Sequence, residues 1–258
     1  MKIVSVVSAK GGVGKTTLSA NLCAGLKQCG LGVLALDFDP QNALRLHFGV
    51  SPTEIQGLSR ATLEGHSWLD STYDTASGVQ LVPYGGINEP DRERFEHILE
   101  AQPDWLIQNL RRMGLGDNHV VVIDTPPGPS VYLQQALRVA SIAMVVVLAD
   151  AASYATVPAM ESLLHTYCYN RDEFMGAAYL LNQVDSSKNL NRDIVASFRA
   201  HMPDRVLPSV IHFDQGLAEA LAYGQTVFQY APYSQGALDV LNNAQWMAQA
   251  IAQVAEGR

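Results

Sequence analysis

Paired cysteines are missing from this 258-residue sequence, although it contains three cysteines. Cys23, Cys29 and Cys168 form no Cys-x-x-Cys pair. So sparse and odd a number is typical of reduced thiols and argues against a disulfide framework or a paired-cysteine cluster. We therefore predict a cytoplasmic protein without structural disulfides.

Positive charge is also scarce, since the formal net charge is −8 and no Lys or Arg occurs from Val206 to Gly257. A surface that binds the phosphate backbone of DNA needs clustered basic side chains. A helix that lies on an anionic membrane needs them on its polar face. The sequence therefore predicts no direct binding to DNA and argues against a membrane-binding helix at the C-terminal end.

No hydrophobic run is long enough for a membrane span. The longest, Ala140–Ala149, is far below the roughly 20 residues that cross a bilayer. The N-terminal apolar run leads directly into a glycine-rich motif, which indicates a first strand instead of a signal peptide. We expect no direct insertion into a membrane.

Short runs rich in Val and Ile recur between helical patterns, and unbroken apolar strands are typical of sheets covered on both faces. The sequence predicts an α/β fold, a mainly parallel twisted sheet of about seven to eight strands with helices on both faces. Without linkers or repeats, residues 1–258 are expected to form one domain. The predicted strands are Ile3–Ser8, Val33–Asp37, Val79–Pro83, His119–Asp124, Ala143–Leu148, Ala177–Asn182 and Val206–Ile211.

Helical patterns fill most of the remaining chain. Leu18, Leu22 and Leu26 recur every fourth residue, which predicts a first helix over Thr16–Cys29. The region Gly49–Gly78 is less regular and is expected to carry short helices over one sheet edge. The later predicted helices lie at about 91–113, 152–169, 190–201, 214–223 and 234–255.

The strongest motif, AKGGVGKTT at residues 9–17, directly follows the first predicted strand. Glycines at such a turn let backbone N–H groups point at phosphate oxygens, and the helix N-terminus adds its positive dipole end. A plain glycine turn does not need two lysines and a Thr-Thr pair. Ala9 replaces the first glycine of the usual pattern. The predicted phosphate-binding residues are Gly11, Gly12, Val13, Gly14, Lys15, Thr16 and Thr17, with Lys15 on the β- and γ-phosphates and Thr16 on Mg²⁺.

Carboxylates end two other predicted strands. Asp37 and Asp39 point to the same side at the carboxyl end of the second strand, where parallel sheets bind ligands. Asp124 ends four apolar residues and is expected beside the magnesium ion, usually through water. The alternative for the first pair is that both carboxylates cap a following helix.

Lys10, together with this loop, resembles the signature of the deviant Walker A ATPases of the ParA/MinD family. The resemblance implies ATP and Mg²⁺ as cofactors, a homodimer with ATP, and slow, switch-like hydrolysis. Lys10 would then reach the nucleotide of the partner subunit. Asp39 would orient the attacking water and be one of the metal-binding residues, with Thr16 and Asp124, and Asp37 would support the magnesium and Thr16.

The sixth predicted strand ends in Asn182-Gln183-Val184-Asp185. In ParA-like proteins an Asn at this position contacts adenine, which makes Asn182 the candidate base-binding residue. The same four residues differ at one position from the NKxD guanine motif, because Gln183 stands where that motif has lysine. In that alternative, Asp185 would accept hydrogen bonds from guanine. The family resemblance favours ATP over GTP.

Several shorter segments resemble BcsQ proteins of bacterial cellulose-secretion operons. They lie at 57–65, 81–85, 149–151, 211–220 and 225–228. The resemblance implies an ATP-dependent dimerising switch that assembles or positions a cellulose synthesis and secretion complex. Other components of that system would be its partners and would recruit it to the inner membrane. The alternative is a ParA/MinD-type ATPase that partitions or positions DNA or another cargo.

Overall fold

Seven strands form one sheet within residues 1–256, whose backbone the computed structural model describes together with the side chains of residues 1–253. The order across the sheet is β3-β4-β2-β5-β1-β6-β7, and every neighbouring pair is parallel except β3 with β4. This confirms the predicted mainly parallel α/β fold. The strands are β1 (Lys2–Val7), β2 (Gly32–Asp37), β3 (Tyr73–Asp74), β4 (Gln80–Val82), β5 (His119–Asp124), β6 (Ile142–Leu148) and β7 (Gly176–Asn182).

Helices connect and cover these strands. Two short 3-10 helices, Leu44–Phe48 and Trp68–Ser71, lie in the less regular region after β2. The α-helices are α1 (Lys15–Gln28), α2 (Leu58–Glu64), α3 (Glu89–Ala101), α4 (Trp105–Arg112), α5 (Val131–Val139), α6 (Ala151–Tyr154), α7 (Val157–Tyr167), α8 (Asn189–His201), α9 (Gln215–Ala222), α10 (Val227–Tyr230) and α11 (Gln235–Glu256). Among the residues described, no helix combines the length and apolar character of a membrane span.

Both faces of the sheet are buried, as the apolar strands predict. Val4 and Val6 of β1 pack on the face covered by α1, α9, α10 and α11. Ile3 packs on the opposite face under α2 to α5, and Val7 packs there under α5, α7 and α8. Because side chains alternate along a strand, β1 contributes to both cores.

One predicted strand was wrong. Val206–Ile211 lies along β7, where the N–H of Leu207 donates to the Tyr179 carbonyl and that of Ile211 to the Leu181 carbonyl, but only isolated bridges form at Val206 and His212. Pro208 in its middle has no N–H group and cannot continue a ladder. The seventh strand is instead the two-residue β3, which pairs antiparallel with β4 at the opposite edge.

Prolines also divide two predicted helices. The helix expected at 91–113 is split into α3 and α4 around Pro103, and the helix expected at 152–169 is split into α6 and α7 before Pro158. Proline fits the first turn of a helix, where Pro158 lies, but not its interior. Helices α5 and α10 were not predicted from the sequence.

The strand register brings the predicted carboxylates to one edge. Asp37 of β2 lies opposite Asp124 of β5, and Asp124 lies opposite Val6 of β1. Asn182 lies opposite Leu148 at the end of β6. The carboxyl ends of the central strands therefore meet beside the loop between β1 and α1.

Candidate functional site

The glycine-rich loop joins β1 directly to α1. Gly12 and Gly14 have φ angles of +73° and +88°, which favour glycine because a Cβ atom is strained there. Gly14 is the N-cap of α1, so the loop delivers its backbone to the positive end of a 14-residue helix. Val13, between the two glycines, is buried in the core. The loop is thus anchored by a side chain while its glycines shape the backbone.

Lys15 lies inside the site with only 7% of its surface exposed. Its Nζ donates to Ser8 Oγ over 2.9 Å, and the Ser8 hydroxyl donates to the Lys10 carbonyl over 2.6 Å. Burial lowers the pKa of Lys15, while the negative charges of Asp124 and Asp39 oppose that shift. The ammonium group of Lys15 therefore lies close enough to Asp124 and Asp39 for their negative charges to stabilise it.

Asp124 is fully buried beside Lys15. Ser19 of α1 donates to its Oδ1 over 2.8 Å, whereas no side chain or backbone group described here bonds to its Oδ2. Burial raises the pKa of Asp124 to about 6, and Thr16, Ser19 and Lys15 limit the rise. A buried carboxylate oxygen without a donor fits a metal-bound water, which supplies the missing hydrogen bond.

The small number of protein groups available here also fits magnesium. Among the described residues, no group of three or more His, Cys, Asp or Glu side chains could hold a metal ion. Magnesium usually keeps several waters and is bound by one or two protein groups plus substrate phosphates. Thr16, at the first turn of α1, and Asp124 would be such groups.

Asp37 and Asp39 shape the loop after β2. Asp37 is buried, and its two oxygens accept backbone N–H groups of Asp39 at 3.1 Å and Leu44 at 2.9 Å. Burial raises the pKa of Asp37 well above its usual value, and the charge of Asp124 adds to the rise. Asp39 is only half-buried, and its Oδ1 accepts from the N–H of Gln41 at 2.9 Å. Asp37 therefore holds the loop that presents Asp39.

Lys10 lies at the mouth of the site. Its Nζ is 3.8 Å from Asp150 Oδ1, and the two side chains are 35% and 39% exposed. Asp150 also caps α6 by accepting the N–H of Ser153 at 2.6 Å. Burial tends to raise the pKa of Asp150, but the hydrogen bonds from Ser153 and the charge of Lys10 outweigh it and the pKa is lowered.

The two candidate base-binding residues differ in burial. Asn182 is 4% exposed, and its Nδ2 donates to the Val13 carbonyl at 2.8 Å. Asp185 is more exposed, and its oxygens accept from Ser187 and pair with Lys188. The Ser187 hydrogen bonds are the main reason that the pKa of Asp185 is lowered.

The predicted residues therefore lie at the carboxyl ends of the strands, in the loops that follow them or in the first turn of α1. Sequence reasoning missed Ser8 and Ser19, which contact Lys15 and Asp124. Ser19 lies three residues after Thr16 on α1, so helical periodicity was a usable signal. Ser8 follows the last residue of β1 and carried no motif.

Comparisons with known proteins identify relatives of this chain. A family model described as cellulose biosynthesis protein BcsQ matches residues 1–248. The cellulose biosynthesis protein BcsQ of Escherichia coli strain K12 is 29% identical over 246 residues, which cover 95% of this chain and 94% of that protein. The chromosome-partitioning ATPase Soj of Thermus thermophilus is 31% identical over 240 residues, which cover 91% of this chain and 90% of that protein.

A solved structure shares the fold. The septum site-determining protein MinD of Pyrococcus horikoshii, complexed with Mg-ADP, superposes with a TM-score of 0.75 at 25% identity. The match covers 95% of both chains.

Proposed function

Because this chain belongs to the BcsQ family of cellulose biosynthesis proteins, we propose that it is a slow Mg²⁺-dependent ATPase that acts as a dimerising switch. The observation that carries the proposal is the separation of its two loop lysines. Lys15 is buried among carboxylates, whereas Lys10 lies at the mouth beside Asp150. The MinD neighbour with Mg-ADP supports the choice of ligand.

The buried residues would act within one chain. Bound Mg²⁺-ATP supplies the phosphoryl group that water attacks. Lys15 would compensate phosphate charge, the Thr16 hydroxyl would help to hold the metal, and Asp124 would hold it through water. The N–H of Gln41 donates to Oδ1 of Asp39 and fixes its carboxylate, which would orient the attacking water.

Lys10 would act between chains. An ion pair as exposed as Lys10 with Asp150 is worth only about 0–1 kcal/mol, so it is easily exchanged for a triphosphate on a second copy. A cation from each chain would then stabilise phosphate charge on the other, which ties dimerisation to ATP.

Light scattering with saturating Mg-ATP tests this mechanism. Asp39→Ala should slow hydrolysis without weakening binding, so the protein accumulates as a dimer. Lys10→Ala in the same background should return it to a monomer. The exposed Asp70→Ala variant, far along the chain from the motifs, serves as the control and should behave as wild type. A monomeric Asp39→Ala protein would sink the switch mechanism.

We propose that the site prefers ATP to GTP, because a hydrogen bond fixes the orientation of the Asn182 side-chain amide. One N–H of its amide nitrogen donates to the Val13 carbonyl, and its Oδ1 is an acceptor that suits the amino group of adenine. Calorimetric titration with both Mg-nucleotides tests the preference. Equal or tighter GTP binding would transfer the base-reading role to Asp185.

The partners we propose are other components of a cellulose-secretion complex, which would recruit this chain from the cytoplasm to the inner membrane. Co-purification from the native host with and without ATP tests this, and a complex lacking every cellulose-secretion component contradicts it. A mobility-shift assay at low salt addresses the alternative of a DNA-partitioning ATPase. We expect no retardation, because no Lys or Arg occurs from Val206 to Gly257.

A further inference from the structure

Asn182 makes a contact that base recognition does not require. It ends β7, and its Nδ2 lies 2.8 Å from the carbonyl oxygen of Val13, 169 residues away in the chain. A carbonyl oxygen can only accept, so the atom facing it must be the amide nitrogen. The contact joins the base end of the site to the phosphate loop.

The surroundings leave little room for another arrangement. A Cβ atom on Gly14 would lie 2.4 Å from Asn182 Nδ2, so the amide packs directly against the loop backbone. The Val13 side chain is 2% exposed and packs into the core of the α1 face. Val13 is therefore held by its side chain on one side and by its carbonyl on the other.

We propose that Asn182 is a positioning residue that clamps the phosphate loop, independently of any contact with the base. The proposal rests on the proposed binding of Mg-ATP at this site. Without the amide, the Val13 carbonyl loses its donor, and the loop between Gly12 and Gly14 loses a fixed point next to two left-handed glycines. The loop N–H groups would then be less ordered before the phosphates arrive, which lowers affinity for the phosphates themselves.

A base-free ligand separates the two roles of Asn182. Asn182→Ala should weaken binding of Mg-tripolyphosphate about fivefold, the factor that corresponds to one neutral hydrogen bond, and weaken Mg-ATP by at least as much. If Asn182 served the base alone, ATP would bind more weakly while tripolyphosphate affinity stayed at the wild-type value, and the clamp would be refuted. Wild-type protein that binds neither ligand would instead refute the proposed function.

Hydrogen exchange of the nucleotide-free protein provides a second reading. Backbone amides of residues 11–15 should exchange several-fold faster in Asn182→Ala than in wild type, and unchanged exchange would also refute the clamp. Asn243→Ala is a matched control, because Asn243 on α11 is also buried and its Nδ2 donates to the Ser209 carbonyl at 2.9 Å. That variant should lose stability but leave loop exchange and tripolyphosphate affinity unchanged.

Discussion

The interior and the mouth of the site hold their charges in opposite ways. In the interior, Lys15, Asp37 and Asp124 are buried and bonded to Ser8, backbone N–H groups and Ser19. At the mouth, Lys10 and Asp150 form a half-exposed pair at 3.8 Å. Buried charges are costly to leave unpaired, whereas exposed pairs contribute little. The buried charged groups of the interior are thus held in place by their bonds, whereas the Lys10–Asp150 pair at the mouth can break at little cost.

The two lysines provide the largest test of this comparison. Lys15→Ala should weaken Mg-ATP binding at least about 100-fold, because truncating one member of a buried, hydrogen-bonded charge group costs several kcal/mol. Lys10→Ala should weaken binding to the dilute single chain less than about tenfold. Isothermal titration measures both, and equal losses would erase the distinction between interior and mouth.

Acid stability tests how strictly the protein core excludes a charge at His47, which is buried in the 3-10 helix after β2. Burial lowers the pKa of His47 to about 4, and its Nδ1 has no hydrogen-bond partner among the described groups. In the unfolded chain His47 binds a proton below about pH 6.5. The part of the free energy of unfolding that depends on neutral His47 is therefore present above that pH and is lost as the pH falls towards 4. Wild type should lose roughly 3 kcal/mol more than His47→Gln over this range.

Urea unfolding at several pH values gives that difference. His66→Gln is the control, since the His66 side chain is 62% exposed, and its curve should parallel that of wild type. A His47→Gln curve parallel to wild type would show that the buried imidazole is readily protonated.

Two glycines with similar backbone angles sharpen the comparison at the loop. Gly14 and Gly65 have φ angles of +88° and +73°, but a Cβ atom clashes with Asn182 only at Gly14 and meets open space at Gly65. Gly14→Ala should therefore lower the free energy of unfolding by about 2 kcal/mol more than Gly65→Ala. Chemical denaturation measures both, and equal losses would mean that the loop yields to the added methyl group.

The smallest effect is expected at the mouth. Asp150→Asn removes the charge facing Lys10 but keeps a good N-cap for α6. The free energy of unfolding should change by less than about 0.5 kcal/mol, and the change should vanish at high salt. A loss of several kcal/mol would show that the pair is fixed like the interior charges.

Much of the fold followed from local patterns. The strands that end at the site, β1, β2, β5, β6 and β7, were predicted because continuous apolar runs need cover on both faces. The failures have local causes too: Pro208 interrupts the run Val206–Ile211, and Pro103 divides α3 from α4. The two-residue β3 and the four-residue α10 are too short to produce a period.

The C-terminal helix shows a choice that packing makes. Leu238 is 52% exposed, whereas Ala237, Val240, Ala244, Met247 and Ile251 are buried. The packing of α11 against α1 decides which of these apolar side chains face the core.

The sequence by itself determined the glycine loop, the lysines on either side of its centre and the carboxylates that end β2 and β5. These features depend on neighbours a few residues apart. Only the tertiary structure decided that Asp37 holds a loop, that one Asp124 oxygen has no donor among the described residues, and that Asn182 bonds to Val13. Such partners are distant in sequence, and the packing of strands and helices brings them within hydrogen-bond distance.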